Sequence, residues 1–324
     1  MKTWCLCLIV LLCATPVLAD NYTNCAQAWA LPHAPPSRIV ALNQHAADLL
    51  LALDARPSMV GVAYLDDSDK AHRQGRYFEV PVIAAQYPSS EVLYAQRPDL
   101  VVGGFASAFG KGVSSRTGLA DNGVASYLLE SACAGHNLDY FAHIRQDLLT
   151  LGALLHKSQR AQALSDALDA DLQRAQAVAD NAQPVSVFYL DSEVNGLASE
   201  GQRGFVTALL AASGGRNVLA DAPLSQVTVN SETLLTKDPD IILLADALWS
   251  PASRKRQLLT TDPVLSTLRA VRENRMIDIP FTHLVPGADS GKVAIELARK
   301  LSGIQSPLEA PSCRSELARE KRQR

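Results

Sequence analysis

The stretch SQRAQALSDALDADLQRAQAVA occupies residues 158–179, near the middle of the chain. It lacks glycine and proline, and its apolar residues recur at spacings of three and four, which predicts one amphipathic helix. Such a helix is roughly 33 Å long. Flexible linkers are rich in Gly and Ser, so we expect this segment to be a rigid rod between two halves of the protein. The apolar residues are Leu164, Leu168, Leu172, Ala175 and Val178.

Short apolar runs alternate with helical stretches on both sides of this segment, a pattern typical of parallel strands joined by helices. We therefore predict an α/β fold with two Rossmann-like lobes, each with a mostly parallel sheet, joined by the long rigid helix. The predicted strands are 39–42, 59–63, 100–102, 126–129, 186–190, 241–244 and 276–279, and the predicted helices are 46–53, 92–95, 119–122, 204–213, 232–235, 263–270 and 288–301.

A repeat relates the two halves. Segment 90–102 (SEVLYAQRPDLVV) matches segment 231–243 (SETLLTKDPDIIL) at an offset of 141 residues. In each copy a polar residue can cap a short helix, a Glu stands in its first turn, and a Pro-Asp pair ends it before a buried strand. A Glu at a helix start can be purely structural, because it favours the helix dipole. Its recurrence favours two matching acidic points, Glu91 and Glu232.

The first residues have the pattern of a secretory signal peptide: Lys2, an apolar run over 6–13, and a small-residue site ending at Ala19. We expect cleavage after Ala19. The apolar run is too short to span a bilayer, and no later run reaches about 18 apolar residues, so we expect no membrane insertion.

The composition is that of a globular protein, with 324 residues, 48% hydrophobic side chains and a formal net charge of −3. This charge argues against a nucleic-acid partner, which would require a basic face. The expected organisation is a signal peptide (1–19), an N-terminal lobe (20–157), the linker helix (158–181), a C-terminal lobe (182–304) and a disordered polar tail (305–324).

Three cysteines follow the signal peptide. In an oxidising compartment we expect Cys25 to pair with Cys133, since such bridges are usual in exported proteins. Closing a loop of this size is worth about 4–5 kcal/mol in the chain-entropy account. The alternative is a pair of buried free thiols. Cys313 lies in the polar tail, and we expect it to be unpaired.

Several short motifs occur in a definite order: PSRIVAL (36–42), VGV (60–62), PSSE (88–91), PDLV (98–101), SGGRNVL (213–219) and VPG (285–287). In this order the chain resembles the rigid-helix class of periplasmic substrate-binding proteins, which serve ATP-driven importers of iron-siderophores, cobalamin and haem. The resemblance spans about residues 36–303.

The resemblance implies a periplasmic receptor that captures one ligand between its lobes and delivers it to the permease and ATPase of an ABC importer. We expect a monomer without catalysis or a resident cofactor. Glu91 and Glu232 occupy the positions of the family's permease-docking acids. The first expected cargo is a small-molecule metal chelate, a ferric siderophore. Haem and cobalamin are alternatives, as is a periplasmic sensor or siderophore chaperone without a direct import role.

Loops that follow the strands of open α/β sheets carry the ligand-binding residues. Aromatic walls suit large chelates, and Arg suits an anionic chelate or a propionate. Tyr64 or Tyr87 could ligate haem iron, whereas the spacing of His residues does not support a dedicated metal site. Each candidate taken alone also fits the edge of a core or the surface. The candidates are Gln44, His45, Tyr64, Tyr87, Phe105, Arg116, Tyr189, Arg203, Trp249 and His283.

An α/β enzyme is the competing class, and its motifs are missing. The first strand is followed by Asn43-Gln44-His45, without the glycines of a dinucleotide-binding turn. Gly110-Lys111 lacks the spacing of a phosphate-binding loop. No Gly-x-Ser-x-Gly elbow is present in the sequence. We therefore expect a binding protein.

Overall fold

The computed structural model describes residues 21–67, 70–110, 112–181 and 183–305. The expected signal peptide with its cleavage site, and nearly all of the expected tail with Cys313, lie outside the described residues. Within the described ranges, no helix combines the length and the apolar character that a membrane span requires.

The N-terminal lobe is built on a five-stranded parallel sheet in the order β5-β4-β3-β6-β7. Its central strand is fully buried, because helices cover both faces of the sheet. The strands are β1 (Asn21–Asn24), β2 (Gln27–Ala30), β3 (Ile39–Leu42), β4 (Met59–Ala63), β5 (Val82–Ala84), β6 (Leu100–Gly103) and β7 (Ala125–Leu128), and the helices are α1 (Gln44–Ala52), α2 (Lys70–Arg76), α3 (Ser90–Ala95), α4 (Arg116–Asp121), α5 (Tyr140–Leu154) and α6 (Ser158–Ala179).

The C-terminal lobe has a four-stranded parallel sheet in the order β10-β8-β12-β13 and a small antiparallel pair, β9 with β11. The predicted α/β fold with two mainly parallel sheets is confirmed. The strands are β8 (Val185–Leu190), β9 (Leu197–Glu200), β10 (Gly215–Asn217), β11 (Gln226–Val229), β12 (Ile241–Asp246) and β13 (Met276–Pro280), and the helices are α7 (Phe205–Ala212), α8 (Ser231–Lys237), α9 (Ala252–Thr261), α10 (Arg269–Arg272) and α11 (Ser290–Gln305).

Helix α6 joins the lobes and has the predicted bounds. Its buried stripe includes Ala161, Leu168 and Ala175. One part of the helix packs on α5 of the first lobe and another on α11 of the second. Gly291 of α11 lies so close to α6 that a Cβ there would stand 2.8 Å from the Cβ of Asp171. The helix is therefore packed into both lobes.

One predicted helix, 263–270, is wrong. The segment contains a single 3₁₀ turn, Leu265–Thr267, and then the start of α10. The Asp262 carboxylate accepts hydrogen bonds from the backbone N–H groups of Val264 and Leu265, which favours a turn at this point. Leu268 then takes an extended backbone conformation and separates the turn from α10. Helices α2, α5 and α9, strands β5 and β9 to β11, and the hairpin β1-β2 were not predicted from the sequence.

The hairpin β1-β2 is fastened beside β7. The hydroxyl group of Tyr22 donates a hydrogen bond of 2.6 Å to the carbonyl oxygen of Ser126, and Asn24 exchanges two hydrogen bonds with the backbone of Leu128. The predicted disulfide between Cys25 and Cys133 is confirmed, with its Cα atoms 5.2 Å apart. The N-terminal segment is thus bound to the edge of the first sheet.

Both copies of the repeat fold as predicted. Ser89 and Asn230 cap α3 and α8 by accepting hydrogen bonds from backbone N–H groups of the first turn. The repeated Asp has a structural role, because Asp99 accepts hydrogen bonds from Ser37, and Asp240 accepts the equivalent bonds from Ser186. In each lobe the Asp therefore holds the chain as it enters the central part of the sheet.

Candidate ligand-binding cleft

A cavity of about 460 Å³ lies where loops of the two lobes meet. The carboxyl ends of parallel strands share one edge of each sheet, and these edges face each other across the molecule. This volume is in the usual range for small-molecule sites. We call this cavity the aromatic cleft. Its lining residues are Tyr64, Asp66, Gln86, Tyr87, Phe105, Ser107, Trp249 and Phe281.

Aromatic rings from both lobes form the walls. Tyr64 and Tyr87 of the first lobe meet edge to face with ring centroids 4.9 Å apart, and Trp249 and Phe281 of the second do so at 5.6 Å. Trp249 is 42% exposed and Phe105 is 36% exposed. Covering these ring faces with a ligand would remove apolar surface from water, which favours binding. Four predicted ligand-binding residues, Tyr64, Tyr87, Phe105 and Trp249, are therefore brought together here.

Asn43 organises one wall of the aromatic cleft. It follows β3 directly and is fully buried, with φ at 133°, a value that favours glycine. Its Oδ1 accepts hydrogen bonds from the backbone N–H groups of Gly104 and Phe105, at 3.1 and 3.2 Å. Its Nδ2 donates to the Tyr87 hydroxyl at 3.0 Å. One side chain thus fixes two parts of the aromatic wall.

Gln44 was predicted to bind the ligand, but the structure places it beneath the cleft. It is 2% exposed, and its Oε1 accepts hydrogen bonds from the backbone N–H groups of Asp66 and Asp67, at 2.7 and 2.8 Å. It is not among the residues that line the cleft. Its contact with the cleft is indirect, because it positions the segment that carries Asp66.

Asp66 lines the aromatic cleft and was missed by sequence reasoning. Burial raises the pKa of its carboxyl group to about 6; a hydrogen bond from Trp249 lowers this pKa, and the charge of Asp191 raises it. Its backbone oxygen accepts a hydrogen bond of 3.0 Å from the N–H of Leu248 in the other lobe. The signal in the sequence is weak, because an acidic residue in a polar loop is usually a surface residue.

The candidates His45 and His283 lie together in a smaller cavity of about 100 Å³, which also borders Asp48, Arg76 and Asp289. Burial lowers the pKa of His45 to about 4 and also lowers the pKa of His283. The His45 ring packs beneath Phe105, with centroids 4.5 Å apart. Among the residues with described positions, no cluster of three or more His, Cys, Asp or Glu could hold a metal ion.

The remaining candidates lie outside the aromatic cleft. Arg116 stacks on Trp29, 4.0 Å from the ring centroid, and donates hydrogen bonds to Ser126. Arg203 donates to the carbonyl oxygen of His136. Tyr189 is 1% exposed, and its hydroxyl group donates to Asp191. Neither Arg is among the residues that line the cleft, because contacts that are distant in sequence already engage both guanidinium groups.

Two sheets that face each other across a cleft, with a packed helix between them, define a two-lobed ligand-binding protein. The sequence profile of the periplasmic binding protein family matches residues 39–282, and the chain belongs to this family. A search of curated proteins finds no match.

Solved structures of low sequence identity share the fold. A periplasmic binding protein from Veillonella parvula is 21% identical, with a TM-score of 0.76 over 89% of this chain and 98% of that one. The ABC-type Fe3+-hydroxamate transport system of Saccharomonospora viridis is 23% identical, with a TM-score of 0.74 over 88% and 99%. The periplasmic heme-binding protein RhuT from Roseiflexus sp. RS-1 is 22% identical, with a TM-score of 0.68 over 83% and 99%.

Proposed function

We propose that this protein captures a ferric siderophore in the aromatic cleft and delivers it to an ABC importer. The observation that carries the proposal is the cleft itself, with partly exposed rings from both lobes around a volume of about 460 Å³. A large chelate with an organic shell presents apolar surface that such rings can cover. The Saccharomonospora viridis protein, named for Fe3+-hydroxamate transport, shares the fold.

The same proposal places the mature protein in the periplasm as a monomer with no resident cofactor. The signal-peptide pattern that ends at Ala19 and membership of the periplasmic binding protein family support export. Glu91 and Glu232 support delivery to a permease, since both are exposed at the first turns of repeated helices. Neither carboxylate has a hydrogen-bond or ion-pair partner within the described ranges.

Haem is the second candidate cargo, and the hydrogen bonding of the two Tyr hydroxyl groups indicates which of them could bind its iron. The Tyr87 hydroxyl is engaged by Asn43 and by Ser107, at 3.0 and 2.8 Å. The Tyr64 hydroxyl has no hydrogen bond to the described residues, so Tyr64 is the better placed of the two for binding haem iron. Cobalamin is the third candidate, because its corrin ring would also cover aromatic surface.

Tryptophan fluorescence tests the cargo. The mature protein is titrated with ferrioxamine B, ferrichrome, ferric enterobactin, haem and cyanocobalamin. Trp249 lines the cleft, whereas Trp29 lies under Arg116. We expect a ferric siderophore to quench the fluorescence of the wild-type protein saturably. The quenching should be lost in the Trp249→Phe variant and should persist in the Trp29→Phe variant. Saturation by haem or cobalamin alone would select an alternative cargo, and no response to any of the five would contradict the proposal.

A further inference from the structure

We infer that the aromatic cleft selects a chelate that is uncharged at its metal centre and carries a protonated amine. The Asp66 carboxylate is the group that binds this amine. This inference rests on the proposed function and narrows its substrate class. A ferric trihydroxamate with a free ammonium group has these properties, because three singly charged hydroxamates balance the charge of Fe3+. A ferric tris-catecholate keeps a large negative charge, and haem carries two propionates.

The first observation concerns the charged side chains that line the cleft. Among the described residues that line the cleft, Asp66 is the one Asp or Glu, and there is no Arg, Lys or His. The two Arg residues expected to bind an anion are engaged elsewhere, Arg116 with Ser126 and Arg203 with His136. An anionic chelate would therefore be buried without a cationic partner from these walls, and burying an unpaired charge is costly.

The two cationic side chains behind the cleft, Lys255 and Arg254, are not available to neutralise an anionic ligand. Lys255 is fully buried, and its Nζ donates hydrogen bonds to the carbonyl oxygens of Ala245 and Ser250, at 2.6 and 2.7 Å. Arg254 forms an ion pair with Glu193. Both cations thus have partners within their own lobe and are not among the residues that line the cleft.

Asp66 is held in place but incompletely satisfied. Gln44 fixes its backbone N–H, and its backbone oxygen is bonded to Leu248. Among the side chains near this carboxylate, Trp249 lowers its pKa, and a carboxylate can accept several hydrogen bonds. Within the described residues, no Arg, Lys or His forms an ion pair with this carboxylate, so its ionised form has no positive charge bonded to it; burial and the charge of Asp191 raise the pKa of Asp66 to about 6.

An ammonium group in the cleft would supply that charge. It would form a charge-assisted hydrogen bond with the Asp66 carboxylate, which is stronger than a neutral one. Tyr64, Trp249 and Phe281 border the same space, and aromatic rings attract cations through their faces. A carboxylate among aromatic rings is therefore complementary to an organic cation, and it repels an anionic chelate.

Two forms of one chelate test this charge selection. Ferrioxamine B carries one ammonium group, and acetylation of that group removes the charge while leaving the ferric trihydroxamate intact. We expect the wild-type protein to bind ferrioxamine B about 10- to 100-fold more tightly than the acetylated chelate, measured by calorimetry near pH 7.5. Asp66→Asn should bring the two affinities together, whereas Asp67→Asn, one position away and not lining the cleft, should retain the difference.

The outcomes separate the inference from the proposed function. Equal affinity for the two forms, or tighter binding of ferric enterobactin, would overturn the charge selection while leaving a siderophore receptor in place. Binding of haem alone, or of none of the chelates, would overturn both. If Asp66→Asn does not fold, as judged by circular dichroism, the pair of chelates on the wild-type protein still decides the question.

Discussion

Asn43 is the residue on which the shape of the aromatic cleft most depends. Its side chain bonds the backbone of Gly104 and Phe105 and the hydroxyl of Tyr87. The close approach of β6 to α1 depends also on Gly104, since a Cβ there would lie 2.2 Å from the His45 ring. The Asn43 side chain and Gly104 therefore fix the position of Phe105, which lines the cleft.

Asn43→Ala should lower the free energy of unfolding by about 2–4 kcal/mol, because it leaves buried N–H groups unsatisfied. It should also weaken binding of the cargo, since Phe105 and Tyr87 lose their common support. Urea unfolding and fluorescence titration measure the two effects. Asn122→Ala is the matched control: its side chain bonds Gly118 at the exposed end of α4, and we expect a change below about 1 kcal/mol. Equal effects of the two substitutions would contradict the role of Asn43.

At the scale of elements, α3 and α8 are equivalent parts of the two lobes. Each helix is capped at its first turn and leads into a buried strand, β6 or β12. Because a helix that precedes a strand usually runs antiparallel to it, its N-terminus lies at the carboxyl edge of the sheet, beside the cleft. Glu91 and Glu232 therefore lie on the cleft side of their lobes.

Replacing both Glu91 and Glu232 with Ala should leave cargo affinity within about twofold, since neither residue lines the cleft, and surface substitutions have small effects. Uptake of the cargo by vesicles that contain the cognate importer should fall strongly, because the two charges proposed to dock on the permease are lost. The matched control is the double variant Glu79→Ala, Glu273→Ala, which removes two other exposed acids. Lost affinity would show that the docking surface is misplaced, and unchanged uptake would favour a sensor or chaperone.

At the scale of the whole molecule, the lobes are connected by more than α6. The N–H of Leu248 bonds the backbone of Asp66 at 3.0 Å across the cleft. Arg76 and Asp289 approach to 3.9 Å between the first lobe and the segment before α11. With a packed helix as the link, these contacts predict small domain movements on binding.

Small-angle X-ray scattering should therefore show little change when the cargo saturates the protein. We expect the radius of gyration to fall by less than about 1 Å, against roughly 19 Å for a compact chain of this size. The control is Leu168→Gly, which weakens the buried stripe of α6 and should allow a larger change. A decrease of several ångströms in the wild-type protein would show that the lobes close around a hinge.

Much of this fold was predictable because it follows local rules. The 22 residues of α6 carry the helical period without a glycine or proline, and β3 and β4 are short apolar runs with the predicted bounds. The helix caps of the repeat were equally clear from their residue types. Helix α9 was missed because its sequence is strongly polar, and it is held partly by the buried Lys255.

The sequence by itself determined the two lobes, the helix between them and which loops carry aromatic residues, because periodicity and strand ends are local properties. Only the tertiary structure decided the charge of the cleft. Arg116 is drawn onto Trp29, and Asp66 is buried beside Trp249. The positions of Arg116 and Asp66 both depend on residues that are distant in the chain. Burial, hydrogen bonding and charge pairing are determined by the groups that the fold brings together, and local sequence does not specify them.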